Sequence, residues 1–390
     1  MATHRILRET FFYVQPFLVD CSLGVAGLSI PLFAGRLGAS ASETGDIVAA
    51  GAFMYCIGTL ISGRMSDQLG CKPVAITGLF FLATSYLAMG QANRPTMLLV
   101  LSGAAGLSAA FFWPPFLHWV GTRRHPAAIM TRLQILCIAW SAGLMAGPWF
   151  GGRLYEISTQ TAFRSAGCIL IVPLVCILLE RSPGQDYLMK GGRFDEHISP
   201  EKKKLFLRVA WIGNFLAVFA VMSIQAFFPR LAENHLGMSP SVIGGLFFSG
   251  RLFMPLSFLV LGFLTTWHYK VSFVVVIQAL IILGMVCLLF ASNTITIRVA
   301  FSAIYFSAAA LIFSSLYYTL ARSHGQGAAS GTHESLIGGG AFLGPLVGGR
   351  AAEAFDLRAP YFVCILAVVL AFAIQALLLR RYNVRMRSAG

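Results

Sequence analysis

Twelve stretches of this 390-residue chain are each about as long, as helix, as a bilayer is thick, and few folds can accommodate that many. The hydrocarbon core is about 30 Å deep, and a helix rising about 1.5 Å per residue crosses it in about 20 residues. Mostly apolar runs of that length lie near 11–34, 44–65, 73–92, 96–120, 130–152 and 163–180, then near 206–228, 240–264, 271–291, 296–320, 329–350 and 358–379. The chain is 57% hydrophobic and 11% charged, against about 25% charged in ordinary soluble domains. The first run is long enough to span and stay, and no cleavable signal pattern precedes it. The expectation is an all-α membrane protein.

The spans divide six and six. Between them lies RSPGQDYLMKGGRFDEHISPEKKKLF, the one long charged stretch, which reads as a solvated linker. This predicts an N-terminal six-helix bundle over 1–181, a cytoplasmic linker over 182–205 and a C-terminal six-helix bundle over 206–390.

The net charge is +14, yet the basic residues sit in short clusters between apolar runs. No basic face or aromatic-basic module is present to grip a nucleic-acid backbone. A cytoplasmic bias of Lys and Arg explains the excess instead. With the N-terminus inside, twenty basic residues fall in inner loops and eight in outer ones, so both termini are expected in the cytoplasm. The eight cysteines lie mostly in apolar runs without a C-x-x-C pair and read as packing residues. His333-Glu334 has no second histidine at zinc-peptidase spacing. No metal or cofactor is expected.

A glycine-proline string occurs twice, as G-x-x-x-G-P-x-x-G-G. The first copy is Gly143, Gly147, Pro148, Gly151 and Gly152; the second is Gly340, Gly344, Pro345, Gly348 and Gly349, and 340 − 143 = 197. Each copy falls on the fifth span of its half. Glycines at i and i+4 share a helix face and let another backbone come close, while the proline removes an amide and bends the helix. The repeat predicts two pseudo-symmetric six-helix bundles related by an axis along the membrane normal, a transporter plan with binding near the midplane.

Four stretches carry a resemblance to the major facilitator superfamily that covers essentially the whole chain. The string at 143–152 resembles that family's fifth-helix antiporter motif. GRMSDQLGCKP at 63–73 resembles its loop motif between helices two and three, with Gly63, Asp67, Gly70 and Lys72 matching and Gln68 and Cys71 standing where cations are usual. The second-half counterpart, GFLTTWHYK from Gly262, has Thr266 in place of the acid. LVDCSLGVAGLSIP, with Asp20, Gly24 and Pro31, is similar to the first helix of the twelve-helix drug:proton antiporters. FFWPPFLHW at 111–119 resembles fourth-helix sequence of the superfamily, although 96–120 lacks the arginine of many proton-coupled members. The resemblance implies the major facilitator fold. It also implies that the Asp67 loop docks near Gly327–Ser330 at the start of helix eleven, latching the cytoplasmic side closed in the outward-facing state.

Ionisable groups inside the hydrocarbon are costly and normally face a watery cavity or one another. Asp20 lies nine residues into its span, about 13 Å along. Glu334 sits early in the eleventh span beside His333, and Arg251 is near the middle of the eighth. Burial disfavours a charged carboxylate and a nearby cation favours it, so an acid poised between the two can load and release a proton. Asp20 is the first candidate for that role against a structural, hydrogen-bonded acid, and Glu334 is the second. Arg251 is read either as holding an anionic group or as a structural counter-ion. Asp46 reads as a surface or capping residue, and Trp113 beside Pro114-Pro115 as a candidate cavity aromatic.

No phosphate-binding G-x-x-x-x-G-K-[ST] loop and no nucleophile-base or metal constellation is present, which argues against an ATPase and against a membrane enzyme. The expected function is secondary active transport of a small solute by alternating access, as proton-coupled efflux. The alternatives are a nutrient or metabolite uniporter or symporter, and a non-transporting membrane partner protein on the same fold. The expected partners are a small-molecule substrate, protons and the lipid bilayer, with the chain acting as a monomer in a bacterial inner membrane.

Overall fold

The computed structural model describes residues 2–122, 129–179, 198–264, 266–320 and 326–388, and among them every regular element is a helix. The first half contains α1 (Ala2–Arg36), α2 (Ala41–Leu69), α3 (Cys71–Met89), α4 (Pro95–Ala110), α5 (Trp113–Thr122), α6 (Ile129–Ile157), α7 (Thr159–Ile169) and α8 (Ile171–Leu179). The second contains α9 (Pro200–Leu236), α10 (Pro240–Arg251), α11 (Phe253–Phe263), α12 (Val271–Phe290), α13 (Thr294–Leu320), α14 (Gln326–Ala354) and α15 (Ala359–Ser388). Among the described residues eleven helical spans are long and apolar enough to cross a membrane. The remaining one of the twelve is α14, whose glycine-rich sequence also carries His333 and Glu334.

Among the described residues fifteen helices serve twelve crossings because three spans are broken, at Phe111-Phe112, Leu170 and Leu252. Each break is followed within three residues by a proline (Pro114, Pro173, Pro255), which suits the first turn of a new helix but cannot donate to the carbonyl four residues back. In lipid that carbonyl must find another donor. Ala110, four residues before Pro114, receives the Ser62 hydroxyl at 2.7 Å. Helix α9 starts at Pro200, capped by the Ser199 hydroxyl, so Lys202-Lys203-Lys204 belong to a helix that begins inside the stretch expected as linker. Residues 182–197 of that stretch lie outside the described residues.

An even number of crossings brings both chain ends to one end of the bundle; the opposite end is called distal here. The repeated string explains how the helices meet. A Cβ on Gly143 or Gly147 of α6 would collide with the Phe17 and Cys21 carbonyl oxygens of α1. On α14, a Cβ on Gly340 would stand 2.5 Å from the Phe215 carbonyl oxygen of α9, and one on Gly344 would collide with that of Phe219. The same string also joins the halves. Gly152 of α6 abuts the Pro240 carbonyl of α10, and Gly349 of α14 lies against Ala41 of α2. Reciprocally, Gly244 of α10 abuts the Pro148 carbonyl, and a Cβ on Gly45 of α2 would stand 2.5 Å from that of Pro345. Each motif helix thus packs on the first helix of its own half and the second span of the other. Two ion pairs, Arg36 with Glu233 and Arg350 with Asp46, also cross between halves at the distal end. Asp46, expected as a surface or capping residue, is one member of them.

These seams are backbone against backbone, so a side chain there has nowhere to move. Gly147→Val and Gly344→Val are expected to cost at least the ~1–3 kcal/mol typical of overpacking and to do so equally, because the seams are equivalent. Yield of monodisperse protein after detergent extraction checks this, with Gly245→Val, where a Cβ would meet nothing within 4 Å, as the tolerated control.

Candidate functional site

Arg251 is the last residue of α10, at the break before α11, and is 2% exposed. A buried guanidinium needs acceptors, and these come from both halves. Its Nη2 donates to Gln225 Oε1 of α9 at 2.6 Å, and its Nη1 donates to the Leu144 carbonyl of α6 at 2.8 Å. That carbonyl is free for a definite reason. Leu144 lies four residues before Pro148, so no helical amide reaches it. The motif proline therefore exposes a backbone acceptor in the first half, and a cation of the second half occupies it. The guanidinium also lies 5.2 Å from the Phe247 ring centroid and 5.4 Å from that of Tyr305, within cation–π range. Gln225 fits because α1 has Gly27 opposite it, where a Cβ would collide with the Gln225 amide.

Asp20 of α1 is 4% exposed, its Oδ2 has no hydrogen-bond partner, and its charge interacts with that of Arg251. Tyr55 of α2 senses both Asp20 and Glu334, and its hydroxyl is within hydrogen-bonding reach of the Glu334 carboxylate. Asp20 and Arg251 thus act on one another electrostatically across the two halves, and Tyr55 lies within electrostatic range of both Asp20 and Glu334, while Arg251 itself is bonded to Gln225 and the Leu144 carbonyl. His333 stands outside this set. Its Nδ1 faces Ser315 Oγ at 2.8 Å and Asn214 Nδ2 at 3.3 Å within the second half. Trp113 stands apart as well: its ring packs on Phe112 at 5.3 Å and Phe116 at 6.4 Å, on a helix that packs on α2, α3 and α4.

In the loop motif, Asp67 is exposed in the last turn of α2, and Gly70 alone links α2 to α3. Its φ of 87° is one that a residue with a Cβ rarely adopts. Gly63 has open space around it. Lys72 Nζ donates to the Leu178 carbonyl of α8 at 2.8 Å, tying the loop to the sixth span. The side chains at Gly327–Ser330, expected to receive Asp67, lie outside the described residues.

The family described as Major Facilitator Superfamily matches residues 13–336. The chain belongs to the Major Facilitator Superfamily. As a member it is an integral multi-pass membrane protein that transports small molecules, and not an enzyme. Two similar superfamily relatives are Multidrug resistance protein 1 of Bacillus subtilis (strain 168), 23% identical with 94% of each chain covered, and Quinolone resistance protein NorA of Staphylococcus aureus (strain MRSA252), 22% identical with 96% of this chain and 97% of the relative covered. The fold matches that of a bacterial homolog to the human lysosomal transporter Spinster in an inward-facing and occupied conformation, with a TM-score of 0.76, 14% identity and 97% of each chain covered. It also matches the nucleoside transporter NupG, with a TM-score of 0.73, 13% identity and 95% and 98% coverage.

Sequence reasoning missed Gln225, Tyr55 and the Leu144 carbonyl. A usable signal exists only for the carbonyl, since a proline inside a transmembrane helix always frees the acceptor four residues earlier. It also missed that the repeated string continues. Arg153 and Glu156 follow the first copy at the spacing at which Arg350 and Glu353 follow the second.

Proposed function

We propose that this superfamily member exports small amphipathic solutes in exchange for protons, with Asp20 as the proton-carrying carboxylate and Arg251 as its counter-charge. The observation that carries this reading is a buried carboxylate oxygen without a partner, on one half, within electrostatic range of a guanidinium held by both halves. When Asp20 is ionised, its attraction to Arg251 adds to the bonds that Arg251 makes with Leu144 and Gln225. When Asp20 is protonated that attraction is gone, and the balance between two arrangements of the halves changes. Glu334, which shares Tyr55 as an electrostatic neighbour with Asp20, is the second proton acceptor. The relatives named for multidrug and quinolone resistance support efflux of drug-like solutes. The basic bias of the loops supports cytoplasmic termini in a bacterial inner membrane, so that the sealed distal end faces outward, and the chain works as a monomer.

The test is transport of the fluorescent cation ethidium by purified protein in proteoliposomes. Accumulation driven by an imposed pH gradient, acid inside, is expected for protein oriented with its cytoplasmic face outward. Ethidium counterflow that ignores the pH gradient would replace antiport by facilitated transport, and no flux of any kind would remove the export reading. In the same assay Asp67→Asn is expected to slow transport several-fold while leaving insertion and yield unchanged. Transport at the wild-type rate would remove the cytoplasmic latch.

A further inference from the structure

The repeated string does not end at its last glycine. Its full form is G-x-x-x-G-P-x-x-G-G-R-x-x-E, closing on Glu156 in the first half and Glu353 in the second, and 353 − 156 = 197, the offset of the glycines. Both glutamates lie at the distal ends of their helices, and both are exposed. Glu353 Oε2 accepts the Ser42 backbone amide at 2.8 Å and the Ser40 hydroxyl at 2.8 Å, at the start of α2. Glu156 Oε1 accepts the Ser241 backbone amide at 3.0 Å, at the start of α10, with the Ser239 and Ser241 hydroxyls in reach. The receiving residues are themselves repeats: Ser40 and Ser239, Ser42 and Ser241, each 199 apart.

A carboxylate at a helix N-terminus satisfies amides that have no partner within the helix. Such a cap is usually local to its own helix. Here each cap comes from the opposite half, so the bond exists only while the distal ends of the halves touch. Helix α10 depends on it, since its own Ser239 makes no side-chain cap bond. Helix α2 also has a capping box formed by Ser40 and Glu43. The Ser40 hydroxyl and Ser42 amide hold the Glu353 carboxyl below its ordinary pKa, so it is charged at neutral pH.

We propose that Glu156 and Glu353 form a reciprocal pair of caps across the two halves, and that together they are the latch of the distal gate. Breaking one cap loosens the other, because both rest on the same contact between halves. The two sides are unequal. Arg350 pairs with Asp46, whereas the position 199 residues on from Asp46 is Gly245, and Arg153 instead stacks over the Trp149 ring at 3.8 Å. The Glu353 side also gains Arg230, whose Nη1 donates to the Ser40 carbonyl at 2.9 Å and to Thr44 Oγ1 at 2.7 Å. The latch does not depend on proton coupling.

Hydrogen–deuterium exchange on the full chain in detergent, without substrate, tests it. Glu353→Gln and Glu156→Gln are each expected to speed amide exchange about tenfold in both the 40–45 and the 239–244 segments, including the one that the substituted residue does not touch. The α12 segment stays protected and reports that the fold is intact. Acceleration confined to the helix that each glutamate touches would reduce the pair to two independent caps and overturn the latch. Unchanged exchange in both segments would overturn it as well. Glu353→Ala and Glu156→Ala, which remove the acceptor entirely, must follow the same crosswise pattern.

Discussion

Asp20→Asn is expected to abolish ethidium accumulation driven by a pH gradient while leaving the protein folded and at least as heat-stable as wild type. The amide is the shape of a protonated carboxyl that can never release its proton. A charge near the bilayer centre costs about 2.5–3.5 kcal/mol on insertion scales, which corresponds to roughly a hundredfold in an equilibrium constant. Gaining and losing that charge is what the cycle uses to move between its arrangements, so fixing the residue as neutral stops coupled turnover. Stability moves the other way, since the neutral amide never has to bury a charge. The measurement pairs transport with thermal unfolding in detergent. Loss of transport with an unchanged or raised Tm supports the coupling role. Loss of transport with a lowered Tm would make Asp20 a structural acid.

Arg251→Leu is expected to be the most destabilising change at the site, and Pro148→Ala to repair part of it. Removing the guanidinium strands two part-buried acceptors, Gln225 Oε1 and the Leu144 carbonyl, which the structure pairs with it at 2.6 and 2.8 Å. A buried polar group left without a partner costs about 1–3 kcal/mol. Alanine at 148 restores a backbone amide that can bond Leu144 in the ordinary helical way. The double variant should therefore recover about 1–3 kcal/mol relative to Arg251→Leu, the cost of one orphaned carbonyl. Pro148→Ala alone should weaken the hold of α6 on Arg251. A double-mutant cycle of unfolding free energies reads the coupling directly. Simple additivity of the two changes would mean that Arg251 does not depend on the carbonyl that Pro148 frees.

The spans were legible because the bilayer sets their length, and the division into halves because the glycine string repeats on equivalent helices. The three helix breaks were present in the sequence only as Pro114, Pro173 and Pro255; other prolines, such as Pro148 and Pro345, sit inside continuous helices. The identity of the buried ionisable groups was legible from their cost in hydrocarbon, but their mutual placement was not. When almost every face of a helix is apolar, no periodicity reports its rotation. Nothing local, therefore, separated Glu334, which faces Tyr55, from His333, which faces Asn214 and Ser315. Nothing in the local sequence marks Gln225, and its role follows from the space that Gly27 leaves on another helix. Trp113, read beside two prolines as a cavity aromatic, packs in a ring cluster of its own half.

Asp20, within the field of Arg251, is proposed to carry the proton exchanged for solute. Proton release on adding ethidium to purified protein in weakly buffered detergent solution tests this without a membrane or a gradient. Net release is expected from the wild type, no release from Asp20→Asn, and ethidium binding in both. Equal release from the two proteins, or binding by the wild type without release, would contradict that role.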